Sequence, residues 1–523
     1  MAVPMSSSNA AAAPIFSRTA GVLLHPTSLP SRYGIGDVGA GARAFVDWLQ
    51  AAGVARWQIL PLVPPGSGWS PYASQSALAG NALMIDLDDL LARGVLGPDE
   101  VEPPRAFDLD RVEWDDVVEF KRSRVALACQ RLAATAMASA VTTFRAKEPW
   151  IDDDALFVAL KDKHAQQPWW SWPRPVKDRE PEALDAARAE LKEAIELRVV
   201  EQALFEEQWQ ALRAYAAARG VTLIGDVPIY VADDSVDVWA NRHFFQLDDD
   251  GRPTRVAGCP PDAFSETGQF WGSPLYRWDV LKADGHKWWV ARMKRNLELC
   301  DVVRIDHFRG FAGYWSIPAD APDARSGAWV EGPGMALFAD LKKALGEHLP
   351  IIAEDLGVIT PDVVALREAV DLPGMKILQF AFGAGADNAY LPHHHVDNCV
   401  VYSGTHDNNT TRGWWNDESE QTRAHVRRYL GVDGRDISWD LLKATMLSVA
   451  HTAVVPFQDV LDLDGGARMN MPGLTDGNWA WRVRIEAFHH SLSERLRDLV
   501  ELGDRLPEQQ AAKRAKREAE AAS

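Results

Sequence analysis

The sequence predicts an α/β fold, a (β/α)8 TIM barrel that carries insertions. Eight short apolar runs rich in β-branched residues recur along the chain, and they are too continuous for antiparallel strands with one wet face. Stretches with helical spacing lie between these runs. The 523 residues exceed what a bare barrel needs, so some of the chain must form insertions. Together these observations predict a buried parallel sheet whose active site lies at the carboxyl ends of the strands.

The eight predicted strands define the core of the barrel. They cover residues 21–25, 57–62, 222–227, 301–305, 351–354, 375–380, 399–403 and 452–457. The intervening helices are predicted at residues 41–52, 206–219, 282–299, 336–345 and 361–370. In the last of these, Thr360 is the expected N-cap and Pro361 the first helical residue.

The spacing between strands predicts the domain organisation. The gap between residues 62 and 222 is far longer than one crossover helix requires. We expect a mostly helical insertion after strand 2 at residues 85–215, and a smaller active-site loop insertion after strand 3 at residues 233–277. The catalytic barrel spans residues 21–500, between a flexible tail at 1–20 and a charged tail at 501–523. Too little chain follows the last strand for a C-terminal β-sandwich domain.

Composition excludes several classes of function. A net charge of −19 argues against binding to nucleic acid, and no apolar run is long enough to span a membrane. Four cysteines without a CxxC motif indicate a reduced compartment, and the first residues lack the pattern of a signal peptide, so we expect a cytoplasmic protein. The 21 tryptophans outnumber the 18 phenylalanines and 9 tyrosines. They fit either a large core or a cleft that stacks on sugar rings.

Four carboxylates stand at or just after predicted strand ends: Asp226, Asp306, Glu354 and Asp407. A single carboxylate there is usually a helix cap, but four meeting at one mouth would repel each other and therefore indicate a catalytic use.

Two of these carboxylates have surroundings that suit different chemical roles. Arg304 and Asp306 are two residues apart and share a strand face, so the guanidinium favours an ionised Asp306. Apolar residues precede Glu354, and burial would raise its pKa. This is the pairing of a retaining glycosidase, for which the two carboxyl groups should lie about 5–5.5 Å apart. An Arg304–Asp306 ion pair that only fixes the barrel rim is the alternative.

Other candidate motifs are weaker. Residues 34–39 fit G-x-G-x-x-G but are separated by prolines from the preceding strand, so a dinucleotide site is not expected. Residues 246–251 resemble half an EF-hand, but we interpret them as a hairpin turn at Asp250-Gly251. The tract at residues 393–395, three consecutive histidines, is interpreted as a solvated loop. His307 and His406 each adjoin a carboxylate and are candidates for binding sugar hydroxyls. No metal and no cofactor are predicted.

Eight segments of the chain carry a resemblance to a known family. They are residues 24–30, 70–72, 225–231, 258–278, 304–310, 353–357, 404–410 and 467–472. On these segments the chain resembles the amylomaltases, also called 4-α-glucanotransferases or disproportionating enzymes, which are relatives of the α-amylases. The resemblance extends from residue 21 to about residue 482.

The resemblance implies transfer of α-1,4-glucan segments, with maltooligosaccharides and amylose as partners, and it implies roles for individual residues. Asp306 would be the nucleophile, Glu354 the general acid and base, and Asp407 the carboxylate that stabilises the distorted sugar. The substrate-binding residues would be Tyr72, Asp226, Gln269, Trp271, Arg304, His307 and His406. The sequence Ser-Pro-Tyr-Ala-Ser-Gln at residues 70–75 departs from the expected pattern after the tyrosine, which affects the fine shape of that subsite.

Three rival functions stay open at this point. A hydrolase would use the same carboxylates with water as acceptor. A silent sugar-binding protein would keep the aromatic groove without chemistry, although Asp306 and Glu354 are both present. A metal- or nucleotide-dependent enzyme is the third.

Overall fold

The structure, a computed structural model, describes residues 16–133, 138–261 and 265–521. Its strands, numbered along the chain, are β1 (Thr19–Leu23), β2 (Arg56–Gln58), β3 (Thr222–Pro228), β4 (Arg255–Cys259), β5 (Gln269–Pro274), β6 (Val302–Asp306), β7 (Gly313–Pro318), β8 (Ala328–Glu331), β9 (Ile351–Ala353), β10 (Gly374–Ile377), β11 (Cys399–Tyr402) and β12 (Thr452–Pro456). Eight of them form a parallel sheet in the order β10-β11-β12-β1-β2-β3-β6-β9. These are the eight strands that the apolar runs predict.

The ends of this sheet meet and close it into a (β/α)8 barrel. The Ala353 N–H in β9 donates to the Pro373 carbonyl just before β10 (2.9 Å). The Met375 N–H in β10 donates to the Asp355 carboxylate after β9 (2.7 Å). Side chains on both faces of the strands are buried, which explains why the runs are apolar throughout instead of alternating.

The helices surround the barrel and fill the insertions. They are α1 (Ala40–Ala51), α2 (Leu87–Ala92), α3 (Pro98–Val101), α4 (Trp114–Ala133), α5 (Ala138–Lys147), α6 (Ile151–Lys163), α7 (Arg174–Lys177), α8 (Pro181–Glu190), α9 (Lys192–Ala217), α10 (Val236–Ala240), α11 (Trp278–Ala283), α12 (Lys287–Leu299), α13 (Met335–Leu345), α14 (Pro361–Val370), α15 (Thr411–Asp417), α16 (Glu420–Leu430), α17 (Ile437–Leu447), α18 (Phe457–Val460), α19 (His490–Leu502) and α20 (Pro507–Ala521). Thr360 and Pro361 take the predicted positions at the start of α14, although the Thr360 side chain makes no capping hydrogen bond.

The long connection between β2 and β3 is helical, as the spacing predicts. It contains α2 to α9, and α9 packs against α4 and α6. The aromatic stretch at residues 168–173 forms a short 3₁₀ turn in which Trp169 and Trp172 are buried. The bounds 85–215 for this subdomain stay a prediction, as do the other predicted domain limits.

A second, antiparallel sheet forms beside the barrel in the order β5-β4-β7-β8. Strands β4 and β5 come from the insertion after β3, whereas β7 and β8 follow β6. This pairing of two separate loops was not predicted from the sequence. The hairpin turn predicted at Asp250-Gly251 is present: Leu247 pairs with Pro253, and Gly251 has a positive φ of 88°.

The remaining predictions have mixed outcomes. His393 and His394 are exposed, but His395 is buried and bonds the Ser448 hydroxyl (2.7 Å), so the solvated-loop interpretation was wrong for that residue. Between β12 and residue 521 the described chain forms helices and turns, with no β-sandwich. Residues 1–15, part of the predicted N-terminal tail, lie outside the described residues, as do residues 134–137, 262–264 and 522–523. Within the described ranges, no helix has the length and apolar character needed to cross a membrane.

Candidate active site

The carboxyl ends of β3 and β6 place two carboxylates on either side of one arginine. Parallel pairing sets Asp226 opposite Arg304. Nη1 of Arg304 donates to both oxygens of Asp226 (2.9 and 2.7 Å), and Nη2 donates to Asp306 Oδ1 (2.7 Å). Arg304 is almost fully buried, whereas the Asp306 side chain is 32% exposed. Asp306 is therefore a carboxylate with a fixed cationic partner and an open side.

Asp226 is the buried member of this group. Burial raises the pKa of its carboxyl to about 6, although the adjacent Arg304 guanidinium lowers it. The Tyr72 hydroxyl donates to Asp226 Oδ2 (2.8 Å). Burial and then the charge of Asp226 raise the pKa of Tyr72, so this phenol stays protonated and keeps donating. A continuous chain of contacts thus runs from Tyr72 through Asp226 and Arg304 to Asp306.

Glu354, the residue after β9, has different surroundings. Its Oε2 accepts from the His307 N–H (2.6 Å) and its Oε1 from the Leu356 N–H (2.9 Å). Burial raises the pKa of this carboxyl to about 8 and the charge of Asp306 adds to the effect, whereas Arg304 and the two amides oppose it. Glu354 therefore holds its proton at neutral pH.

His307 joins the two carboxylates because it follows Asp306 directly and contacts Glu354 through its own amide. Its φ of +54° lies in the left-handed region, which is unusual for a residue other than glycine and is a strain often found at functional sites. The predicted separation of 5–5.5 Å between the carboxyl groups stays a prediction. Burial lowers the pKa of the His307 imidazole to about 4, so the ring is neutral.

Two of the predicted substrate-binding residues, Gln269 and Trp271, also reach this point. The Trp271 ring meets the His307 ring edge-on, with 4.8 Å between centroids. Nε1 of Trp271 donates to Gln269 Oε1 (3.0 Å), so Gln269 and Trp271 belong to one unit on β5.

Asp407 lies across the cleft, in the loop after β11. Its Oδ1 accepts from Asn470 Nδ2 (2.6 Å) and lies 3.4 Å from Nε2 of His406. The Asn470 N–H donates to the His406 carbonyl (3.1 Å), which ties the two loops together. The His406 ring stacks on the Tyr72 ring at 5.3 Å, so this half of the site joins the Asp226 half.

The structure thus brings all ten predicted site residues into one connected group around a cleft of about 760 Å³. Asp306, His406, Asp407, Tyr72, Gln269 and Trp271 line the cleft directly. The part of the chain that the structure describes contains no group of three or more His, Cys, Asp or Glu side chains able to hold a metal ion.

Asn470 and Trp479 are cleft residues that were not named individually from the sequence. Asn470 fixes Asp407, and Trp479 packs on the rings of Tyr72 (5.7 Å) and His406 (6.0 Å). Asn470 falls within the segment 467–472 that carries the resemblance. For Trp479 the only signal was the excess of tryptophan.

Comparisons with known proteins agree with this geometry. A family model described as 4-alpha-glucanotransferase, glycoside hydrolase family 77, matches residues 24–487. The 4-alpha-glucanotransferase of Thermus thermophilus is 48% identical over 94% of this chain and 99% of its own length. The chloroplastic/amyloplastic 4-alpha-glucanotransferase of Arabidopsis thaliana is also 48% identical, over 94% of this chain and 86% of its own length.

Solved structures give the same picture. The amylomaltase of Streptococcus agalactiae, solved in complex with acarbose, superposes with a TM-score of 0.91 at 37% identity, covering 93% of this chain and 99% of that one. The amylomaltase of Corynebacterium glutamicum, at 17% identity and a TM-score of 0.73, covers 92% of this chain and 75% of that one and has the same fold.

Proposed function

The chain belongs to glycoside hydrolase family 77, the 4-α-glucanotransferases, and from that premise we propose how its own residues perform the transfer. The enzyme moves a segment of a 1,4-α-D-glucan to the 4-hydroxyl of another glucan or of glucose, with retention. No cofactor takes part in this scheme. The observation that carries it is the contrast between Asp306, held beside a guanidinium, and Glu354, buried in a setting that raises its pKa.

In the first step, Glu354 donates its proton to the glycosidic oxygen while Asp306 attacks the anomeric carbon. The C–O bond to the leaving chain breaks, that chain departs with the proton of Glu354, and a glycosyl–Asp306 ester forms. Asp407, with 43% of its side chain exposed to the cleft, stabilises the distorted sugar. The neutral His307 and the His406 ring offer hydrogen bonds to its hydroxyls, and Tyr72 provides an aromatic face.

In the second step, the now ionised Glu354 takes the proton of an incoming 4-hydroxyl. The acceptor oxygen attacks the ester, the bond to Asp306 breaks, and Glu354 ends the cycle protonated. The same carboxyl therefore serves as acid and then as base.

Water competes with the sugar acceptor in this second step. Transfer prevails where acceptor subsites hold the sugar and orient its hydroxyl. Trp271 and Gln269, next to His307 on the cleft wall, are the residues that we assign to this subsite.

Incubation with maltotriose tests the proposal. We expect a ladder of longer maltooligosaccharides together with glucose, while the total of reducing ends stays constant. Rising reducing ends without longer products would instead identify a hydrolase. A protein that binds maltotriose without any product would be a silent binder.

We also propose that the protein works in the cytoplasm on maltooligosaccharides and amylose. Cys129, Cys300 and Cys399 are buried thiols, which suits a reducing compartment. Because the curated plant relatives are chloroplastic/amyloplastic, subcellular fractionation is the direct test.

A further inference from the structure

The antiparallel sheet ends in β8, a strand whose four residues are all exposed. Natural edge strands are usually blunted by charges, prolines or bulges. Strand β8 instead presents two apolar side chains: Trp329 is 45% exposed and Val330 is 40% exposed. An exposed tryptophan at the edge of a cleft-forming sheet indicates a binding surface.

The Trp329 ring is held rigidly in place. The Arg309 guanidinium lies 3.8 Å from the centre of the ring, and the Trp315 ring on β7 meets it nearly edge-on at 5.1 Å. Arg309 is itself buried, and its Nη1 donates to the Val358 carbonyl (2.6 Å). The guanidinium therefore covers one face of the indole, while 45% of the residue stays exposed to solvent. A platform that is already ordered loses little conformational entropy when a ligand binds.

This platform stands on the catalytic rim of the barrel. Arg309 comes two residues after His307, and Val358 comes four residues after Glu354. Val358 is exposed, and so is Phe380 in the loop after the neighbouring strand β10. Phe380 meets the Tyr390 ring edge-on at 5.6 Å. Exposed apolar side chains thus lie on β8 and in the loops after β9 and β10, near the acid–base carboxyl in sequence.

We propose that Trp329 is an additional subsite, outside the cleft, for a glucose unit of a long α-1,4-glucan chain. The apolar C–H face of a glucose ring fits a flat, rigid indole, and a neutral glucan needs no charge on this surface. The assignment rests on the proposed function, because the same glucan occupies the cleft beside Glu354.

Kinetics of Trp329→Ala with substrates of two lengths test the assignment. With amylose as donor and glucose as acceptor, KM for amylose should rise roughly two- to tenfold, the range of one lost aromatic contact, with kcat unchanged. Disproportionation of maltotriose should be unaffected, because Trp329 is not among the residues that line the cleft. Trp329→Tyr keeps an aromatic face and should recover most of the affinity for amylose.

Val330→Ala is the matched control, because it removes an equally exposed side chain from the opposite face of the same strand. It should leave both substrates unaffected. Equal losses of activity with amylose and with maltotriose in Trp329→Ala would overturn the assignment, because they would mean that the substitution disturbs the active site. Unchanged amylose kinetics would overturn it too. Light scattering that shows a dimer for the wild-type protein and a monomer for Trp329→Ala would then identify the strand as an interface between copies. Failure of the wild-type protein to disproportionate maltotriose would contradict the proposed function itself, which is a separate result.

Discussion

Asp306 is the last residue of β6 and Glu354 follows the neighbouring strand β9, yet their surroundings are opposite. Asp306 accepts from a guanidinium and keeps about a third of its side chain in the cleft. Glu354 is buried and accepts only from the backbone amides of His307 and Leu356 in its described contacts. The cation favours the ionised carboxylate, whereas burial favours the protonated one. In the proposed mechanism, two groups of the same chemistry thereby take the roles of nucleophile and acid, and the environment alone divides them.

The largest expected effect on activity comes from removing the carboxylate of Asp306, the ionised member of the pair. Asp306→Asn keeps the shape of the side chain but removes the nucleophile, so transfer from maltotriose should fall by at least about 10⁴-fold. Glucan binding, measured by calorimetry, should persist because Tyr72, Trp271 and Asp407, which line the cleft, are unchanged. Turnover close to the wild-type rate would show that Asp306 is only an ion-pair partner of Arg304.

The protonated side is tested with Glu354→Gln. Loss of the acid should slow maltotriose transfer by about 10²–10⁴-fold. Formation of the glycosyl–enzyme from a donor with an activated leaving group should be far less affected, because that group departs without a proton. Since the side-chain NH₂ introduced by this substitution would face one of the two backbone N–H groups, Glu354→Ala serves as the second variant. Equal losses on both donors in both variants would argue against the acid role.

The next prediction concerns the cation that separates the two environments. Arg304→Met leaves the buried Asp226 without its partner, so the free energy of unfolding should fall by about 3–5 kcal/mol. Adding Asp226→Asn should restore much of the stability in denaturant titrations, because no buried charge is then left unpaired. Activity should not return with it, since Asp306 still lacks its cation. If the double variant recovered both its stability and its activity in full, Arg304 would have no role in catalysis.

The sequence predicted the barrel well because its signals are local. Each buried parallel strand needs a continuous apolar run, and each catalytic carboxylate stands where such a run ends, as Asp306 and Glu354 do. The second sheet was not predicted, because β4 and β7 pair across a distance in sequence and neither carries a signal for its partner. Asn470 and Trp479 were not predicted for the same reason, because they reach Asp407 and Tyr72 from a loop that is remote in sequence. His395 was misjudged because its burial depends on contacts with Tyr390 and Ser448.

The pH profile sharpens the comparison without any substitution. The raised pKa of Glu354, about 8, means that the acid is protonated at neutral pH and ionises above that value. The kcat/KM for maltotriose, which reports groups of the free enzyme, should be flat up to about pH 8 and then fall about tenfold per unit. Because Glu354 and Asp306 interact, the measured pKa belongs to the pair. A fall that begins near pH 5 would place the acid in a solvated environment and contradict the burial argument.

The smallest effect on activity is expected around Asp234, a further carboxylate of the cleft. Like Asp306 it has a cationic partner, but it takes no part in the proposed reaction. Asp234 lines the cleft and accepts from Lys161 of the helical insertion (2.6 Å) and from the Trp169 N–H (3.1 Å). Lys161 is buried and also donates to the carbonyl groups of Gln166 and Gln167. These contacts make Lys161 a positioning residue that fixes one wall of the cleft.

Lys161→Met should therefore raise KM for maltotriose severalfold with little change in kcat, and lower the free energy of unfolding by about 1.5–3 kcal/mol. Lys163→Met is the control on the same helix, because Lys163 pairs with the exposed Glu190 at 2.7 Å. Loss of that exposed pair should change the free energy of unfolding by less than about 1 kcal/mol and leave KM for maltotriose unchanged. A Lys161 variant that loses stability but keeps its KM would show that the insertion supports the barrel without shaping the cleft. A raised KM would instead mean that the insertion helps to set how the glucan binds, while the environments of Asp306 and Glu354 set how it reacts.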